Sequence, residues 1–245
     1  MGGSPDGFWW REEGAEGLRV AFTGAEAGNL ALNVGDDSAA VTGRRRRLEE
    51  RMGVRPGALR FMNQVHSARV GTVEAGDAPI DGSEELDGLL CADAGVPLAV
   101  LVADCLPVLF AARAPGGGWI TAAAHAGRRG LLGGILANTV AGLEAAGGTG
   151  LQAWIGPSIC GRCYEVPAAM QAEACGQLPE LAAETSWGTP ALDLAAGAAA
   201  ELGRLDVRVH RVAGCTREDP GLFSYRRDSG CGRFAGLVWT GQGAR

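Results

Sequence analysis

The sequence has no excess of basic residues. Lys plus Arg total 22 against 28 Asp plus Glu, a net charge of −6 over 245 residues. Binding duplex DNA through its phosphates needs a basic surface, so nucleic acid is not the expected partner; a small anion needs only a local site. The chain also lacks an apolar run long enough to cross a membrane. Its most apolar stretch, 96–112, is too short for a bilayer and carries Asp104 and Pro107. Residues 1–13 lack the basic start and apolar core of a secretory signal, so the expected location is the cytoplasm. Common active-site signatures are missing too: no GxGxxG after a strand, no GxxxxGK[ST], no GxSxG and no HExxH. This argues against a Rossmann dinucleotide site, a P-loop nucleotidase, an α/β-hydrolase and a zincin. Histidine is scarce, with three in the whole chain: His66, His125 and His210.

What is present describes a folded chain. Hydrophobic residues make up 47% and charged residues 20%, near the averages for soluble globular proteins. Glycine and proline are abundant, at 40 and 11, but stay below the low-complexity range. The length suits one large domain, residues 1–245, with a sizeable core. Seven cysteines, an odd number, read as thiols, metal ligands or nucleophiles rather than a disulfide framework.

Along the chain, 18–24 reads as a strand. The stretch 36–53 reads as a helix, opened by Asp36, Asp37 and Ser38 and stopped at Gly53. Its basic run, Arg44 to Arg47, reads as a solvated face balanced by Glu49 and Glu50. Strand-like pieces occur within 59–74. The apolar run 98–110 suits a strand buried on both faces. Pro107 lacks an amide donor, so Asp104 and Cys105 are expected at a strand end or bulge. A strand at 119–125 runs through a turn into a helix carrying Leu131, Leu132, Ile135, Leu136, Val140 and Leu143 on one face. His125 then ends a strand, and Arg128 and Arg129 sit at a helix start, a natural anion site. A strand at 151–155, helices at 168–177 and 192–204, and strands at 207–213 and 233–240 follow. There is no internal repeat or long linker, and the mixture is α+β.

His66, Cys105 and His125 form the strongest constellation. Two histidines and a cysteine supply three zinc ligands and leave a fourth position open, the catalytic pattern. Their separations carry no local signature, so two alternatives stand beside zinc. One is a thiolate–histidine nucleophilic pair; the other is a buried cysteine among satisfied core histidines. Alternation in 207–210 turns His210 outward, as a surface residue. Cys160 and Cys163 form a CxxC with no second pair at suitable spacing, which reads as a buried packing loop. Arg129 and the Arg226–Arg227 pair are candidate anion handles, and Tyr225 is placed to stack on a base or sugar.

The segments NQVHSARV, VADCLPVLF, AAAHAGRRGLLGGIL, WIGPSICGRCYEV, LDLAAGAAAEL and LFSYRRDSGCGRFAGLVW appear in that order, after NLALNVGDDSAAVTGRRRRL. Together they resemble the family once called multicopper polyphenol oxidase or laccase-domain proteins and now described as purine nucleoside phosphorylases. The resemblance implies a single domain of α/β/β/α layers with mixed sheets. It implies zinc on His66, Cys105 and His125, and phosphorolysis of adenosine, inosine, guanosine or methylthioadenosine to base and ribose 1-phosphate. Adenosine deamination is a companion activity in the family. For that chemistry Arg45, Arg129 and Arg227 are the candidate phosphate holders, and Asn33, Gln64 and Tyr225 the candidate nucleoside contacts. Asp104 would orient a histidine or shuttle a proton. A monomer or homodimer is expected. The chain departs from the family pattern at Arg44, Ser67, Arg128, Cys160, Arg162 and Cys231, which bears on substrate preference more than on chemistry. Two other readings are a Cys–His hydrolase and a copper polyphenol oxidase. Against the latter, three histidines with no HxH pair cannot build a multicopper cluster.

Overall fold

The computed structural model describes residues 7–74, 76 and 84–241. The first six residues, part of the stretch read above for a secretory signal, lie outside the described residues. In chain order the elements are β1 (Phe8–Glu13), β2 (Leu18–Thr23), α1 (Ser38–Met52), β3 (Val70–Thr72), β4 (Gly88–Cys91) and β5 (Leu98–Val102). Next come β6 (Leu106–Arg113), β7 (Trp119–Ala126), α2 (Arg128–Leu132), α3 (Ile135–Ala145), β8 (Thr149–Ile155) and α4 (Ala168–Gln177). The chain closes with β9 (Ala182–Glu184), β10 (Pro190–Leu192), α5 (Leu194–Arg204), β11 (Arg208–Arg211) and β12 (Phe234–Thr240).

Strand alternation builds four layers. In the sheet β1-β2-β12-β5, Val20, Phe22, Val100, Val102 and Val238 point one way, while Ala21, Ala99 and Leu237 point the other. The second set packs with Leu48 and Met52 of α1. The first set meets Leu89, Leu109, Ala111, Ala123 and Trp154 of the mixed six-stranded sheet β11-β8-β6-β7-β4-β3. The far face of that sheet, with Val108, Phe110, Ala122 and Ala124, is covered by Ile135, Leu136 and Val140 of α3 and Ala198 and Leu202 of α5. The order α/β/β/α, in one α+β domain, follows. On β7, alternation sends Ala124 and Ala126 toward the helices and His125, like Ala123, toward the inter-sheet layer.

Several local readings are revised. The apolar run 98–110 breaks at 103–105, ahead of Pro107, which sits second in β6 opposite His125. The β6–β8 register begins at Val108; Pro107 meets that side only by accepting the Gly156 amide at 2.9 Å, so its missing donor costs nothing there. The helix expected from Leu131 onward is two helices, because Gly134, at φ 90°, turns the chain between α2 and α3. β1 went unread. Within α1, Glu49 is buried rather than solvated: its carboxylate accepts the amides of Gly57 and Leu59 at 2.9 and 3.0 Å. Nor is the basic run a free face, since Arg44 binds Asp36 at 2.7 Å and Arg45 binds the Leu30 carbonyl at 2.8 Å.

Candidate metal centre and substrate cleft

The strand break at 103–105 turns Cys105 out of the sheet beside the end of β7 and the loop that carries His66. Asp104 takes φ 89° and His66 φ 63°, both in the left-handed region. Such positions are costly for side-chain-bearing residues and persist only when the surroundings hold them. At His66 the cause is visible. The amides of Val65, His66 and Ser67 converge on the Asp87 carboxylate at 3.1, 3.0 and 2.6 Å. Three successive amides wrapped on one anion require a left-handed residue among them.

Asp87, just before β4, is fully buried. Besides those amides it accepts the Ser67 hydroxyl at 2.7 Å and pairs with His125 Nδ1 at 2.7 Å. Its carbonyl also accepts the His125 amide at 2.7 Å. Burial pushes this carboxyl up, but the hydrogen bonds from His125 and Ser67 outweigh burial and hold it well below the ordinary range. One carboxylate thus fixes both histidines: His66 through its backbone, His125 through its ring. Sequence reading missed Asp87. It stands in an acidic stretch with Glu84 and Glu85 that looks like an ordinary solvated loop.

The sulfur of Cys105 lies 3.5 Å from His66 Nε2, and the rings of His66 and His125 meet edge to face with centroids 4.7 Å apart. One ligand atom from each of the three residues falls within 4.8 Å of the others. Two ligands of a tetrahedral zinc, with Zn–S ~2.3 Å and Zn–N ~2.0 Å, stand ~3.5 Å apart. The Cys105–His66 separation matches that value. With Nδ1 of His125 committed to Asp87, its other ring nitrogen is left for a metal. Burial pushes the Cys105 thiol up, but His125 and His66 pull it below the ordinary thiol value. His125 is lowered by burial and raised further by Cys105 and Asp87. The donor set fits a metal ion.

These residues floor a cleft of about 480 Å³ whose walls include Asn33, Gln64, Ile159, Tyr164, Tyr225, Arg226 and Arg233. Asn33 and Tyr225 are exposed on its rim. The Gln64 amide pairs with the backbone of Leu101, donating at 2.7 Å and accepting at 2.9 Å, so it fastens the wall to β5. Asp104 is likewise committed: its carboxylate accepts the Thr216 hydroxyl and the Arg226 amide, each at 2.6 Å. The arginines divide. Arg45 lies half-buried with its guanidinium 3.7 Å over the Phe61 ring, and burial lowers it to about 10. Arg129 is exposed on α2. Arg227 is occupied by the carbonyls of Thr216, Arg217, Asp219 and Leu222. The cleft itself is lined by Arg226, which donates one nitrogen to the Glu165 carbonyl at 2.9 Å, and by Arg233, which donates one to the carbonyls of Cys231 and Gly232 at 2.9 and 3.1 Å and which sequence reading did not single out. His210, read as a surface residue, is half-buried, stacked on Trp154 at 4.9 Å and bonded to Gln152, away from the cleft. No helix among the described residues is long and apolar enough to cross a membrane.

Comparison with known proteins gives the chain's relatives. A purine nucleoside phosphorylase of Streptomyces coelicolor is 46% identical over 216 residues, covering 86% of this chain and 87% of that protein. Purine nucleoside phosphorylases of Corynebacterium glutamicum and Pseudomonas aeruginosa are 41% and 40% identical, with 86% of this chain covered in each case and 86% and 85% of theirs. Among solved structures, a Neisseria meningitidis protein superposes with a TM-score of 0.81 at 31% identity, over 96% of this chain and 99% of its own. YlmD of Geobacillus stearothermophilus also reaches 0.81, at 29% identity, over 97% and 94%. The sequence model of one family matches residues 8–241, nearly the full length, and the chain belongs to that family, described as multi-copper polyphenol oxidoreductase laccase.

Proposed function

We propose that the chain is a zinc-dependent purine nucleoside phosphorylase, taking adenosine, inosine, guanosine or methylthioadenosine with phosphate and releasing free base and a ribose 1-phosphate. The observation that carries the reading is the convergence of His66, Cys105 and His125 on the floor of a cleft whose wall presents Arg226 and Arg233. Relatives named for this activity support it.

In the reaction the bond between the sugar's anomeric carbon and the purine nitrogen breaks, and a phosphate oxygen bonds to that carbon. The purine leaves with the bonding electrons and takes up a proton. His66, Cys105 and His125 would hold the zinc, which would supply Lewis-acid chemistry when bound. Arg226 and Arg233 offer the charge that holds phosphate close to the anomeric carbon, and such positioning lowers the barrier by prepaying entropy. The guanidinium of Arg233 lies 5.7 Å from the Tyr225 ring centroid, so the ring that receives a base or sugar face is braced by a cation. Asn33 supplies a polar amide on the same rim. Asp104, already accepting two hydrogen bonds, positions the Arg226 loop rather than carrying a proton. Arg45, Arg129 and Arg227 become second-choice phosphate contacts.

Purified zinc-replete protein given adenosine, with and without phosphate, is resolved by chromatography. Adenine formed only with phosphate is the expected result. Inosine formed regardless of phosphate adds the deaminase activity, and neither product removes the reading for this substrate. The close Cys105–His66 contact also favours a nucleophilic-cysteine reading. Cys105→Ala decides between them: zinc and activity lost together support the metal, while full zinc with lost activity makes Cys105 the nucleophile.

A further inference from the structure

Behind the cleft lies a second set of donors. Cys160-Gly161-Arg162-Cys163 and Cys215-Thr216-Arg217-Glu218 are two turns of the same length, each beginning with cysteine and carrying arginine third. In the first, the amides of Cys163 and Tyr164 both reach the Cys160 carbonyl at 2.9 Å. In the second, those of Glu218 and Asp219 reach the Cys215 carbonyl at 3.2 and 2.9 Å. A parallel bridge between Ser158 and Cys215 ties the two turns side by side. One ligand atom from each of Cys160, Cys163, Cys215 and Glu218 lies within 4.8 Å of all the others. The sequence reading of Cys160 and Cys163 as a packing loop found no second pair because the second pair ends in glutamate, not cysteine.

We propose that Cys160, Cys163, Cys215 and Glu218 form a second metal site, a closed four-ligand zinc site distinct from the one in the cleft. Three thiolates and a carboxylate are a donor set for zinc, and four protein ligands leave no open position, the structural pattern. The contacts follow that use. Cys163 Sγ stands 3.3 Å from Glu218 Oε1, near the ~3.5 Å separation of a sulfur and an oxygen sharing one zinc. The Cys160 amide points at the Cys215 sulfur at 3.5 Å, a bond that stabilises a thiolate. Charge closes as well. Four anionic ligands and a divalent ion leave two negative charges, and each turn's arginine crosses to the other turn: Arg162 to Glu218 at 3.5 Å, Arg217 to the Cys163 carbonyl at 3.2 Å. Gly161 lets the first turn pack against β9 and the start of α5, since a Cβ there would stand 2.9 Å from Ala183 and Asp193. An adjoining cavity of about 430 Å³, lined by Cys160, Cys215, Glu218 and Arg211, shares no wall residue with the cleft and gives an ion a way in.

The place of the site gives it a task. The Thr216 hydroxyl bonds Asp104, and the Ile159 amide bonds the Asp104 carbonyl at 3.0 Å. The ion would therefore clamp together the two loops that hold the residue before Cys105, one of which runs on to Tyr225 and Arg226. Elemental analysis of full-length protein, expressed with added zinc and kept reduced, tests this. Wild type should carry about two zinc ions per chain, Cys105→Ala about one, and Cys105→Ala with Cys215→Ser about none. Cobalt(II) bound by Cys105→Ala should show the intense near-ultraviolet charge-transfer absorption of several thiolates. No metal in a folded Cys105→Ala protein overturns the proposal. So does metal that survives when Cys215→Ser is added to Cys105→Ala, or a Cys160–Cys163 disulfide in the intact mass of the reduced preparation. Should that double variant fail to fold, Glu218→Gln in the Cys105→Ala protein is the second variant. It should lower cobalt affinity about tenfold or more, and an unchanged affinity overturns the ligand set.

Discussion

Asp87 binds both ends of the metal centre with one side chain, and its chemistry sets what a substitution does. Asp87→Asn keeps the volume but turns one acceptor oxygen into a donor facing the Ser67 and Val65 amides. Leaving such buried donors unmatched costs about 1–3 kcal/mol, and losing the carboxylate behind a ligating histidine weakens metal binding about 10- to 100-fold. A zinc titration with a competing chelator measures the second effect. The stability loss has a defined pH range. The folded carboxyl titrates below its unfolded value of ~3.9, so its contribution is complete above about pH 5 and fades as pH falls through the folded value. The gap in melting temperature between wild type and Asp87→Asn should hold steady from neutral pH to about pH 5 and narrow below pH ~4. A gap that widens on acidification would contradict the network. The two candidate histidine ligands were legible in the sequence because histidine is rare in it and both lie in segments of polar and small residues, and Cys105 because an Asp-Cys pair ahead of Pro107 interrupts an apolar run. Asp87 was not, because its meaning depends on β4 pairing with β7, a contact that no local spacing encodes.

At the scale of elements, the junction of β7 and α2 is built around a missing side chain. Gly127 has φ −68°, which any residue adopts, so its glycine is not there for the turn. A Cβ at this position would lie 2.5 Å from His66 Cδ2 and 3.0 Å from the Cys105 sulfur. Gly127→Ala should therefore displace two ligands while leaving strand and helix intact. Zinc affinity and activity should fall about 10- to 100-fold with little change in the melting temperature of metal-free protein, and a variant with wild-type zinc affinity would refute the packing argument. The same glycine carried no such meaning in the sequence, where it reads as a turn. Elements with a strong period or clear caps were legible: α4 spans 168–177 as its pattern indicates, and α1 starts at its Asp37 cap, whose carboxylate accepts the Ala40 amide at 3.0 Å. Elements defined by partners were not. β1 is a strand only because it lies on β2, and the α2–α3 break turns on one left-handed glycine inside an otherwise continuous apolar stripe.

Across the whole molecule, the centre joins segments far apart in the chain: the loop of His66, the start of β4, the β5–β6 break and the end of β7. All of them meet at the edge of the inter-sheet core formed by Phe22, Val100, Leu109 and Trp154. That layer was legible as buried strands, while the crossing that brings the ligands together was not, since it follows from the order in which two sheets are laid down. A ligand that binds only the assembled site stabilises the fold by mass action, about 2.7 kcal/mol at a free concentration 100 times its dissociation constant. For a chain of this size each kcal/mol moves the melting temperature by about 2–4 °C. Stripping zinc from wild type should then lower the melting temperature by about 5–10 °C for each site emptied. Cys105→Ala, which lacks the cleft site but keeps the cysteine cluster behind it, should start lower and lose less. Calorimetry of the two proteins with and without chelator reads all four values. Identical melting with and without metal in wild type would mean that zinc does not bind the folded chain in preference to the unfolded one, and would count against both metal sites.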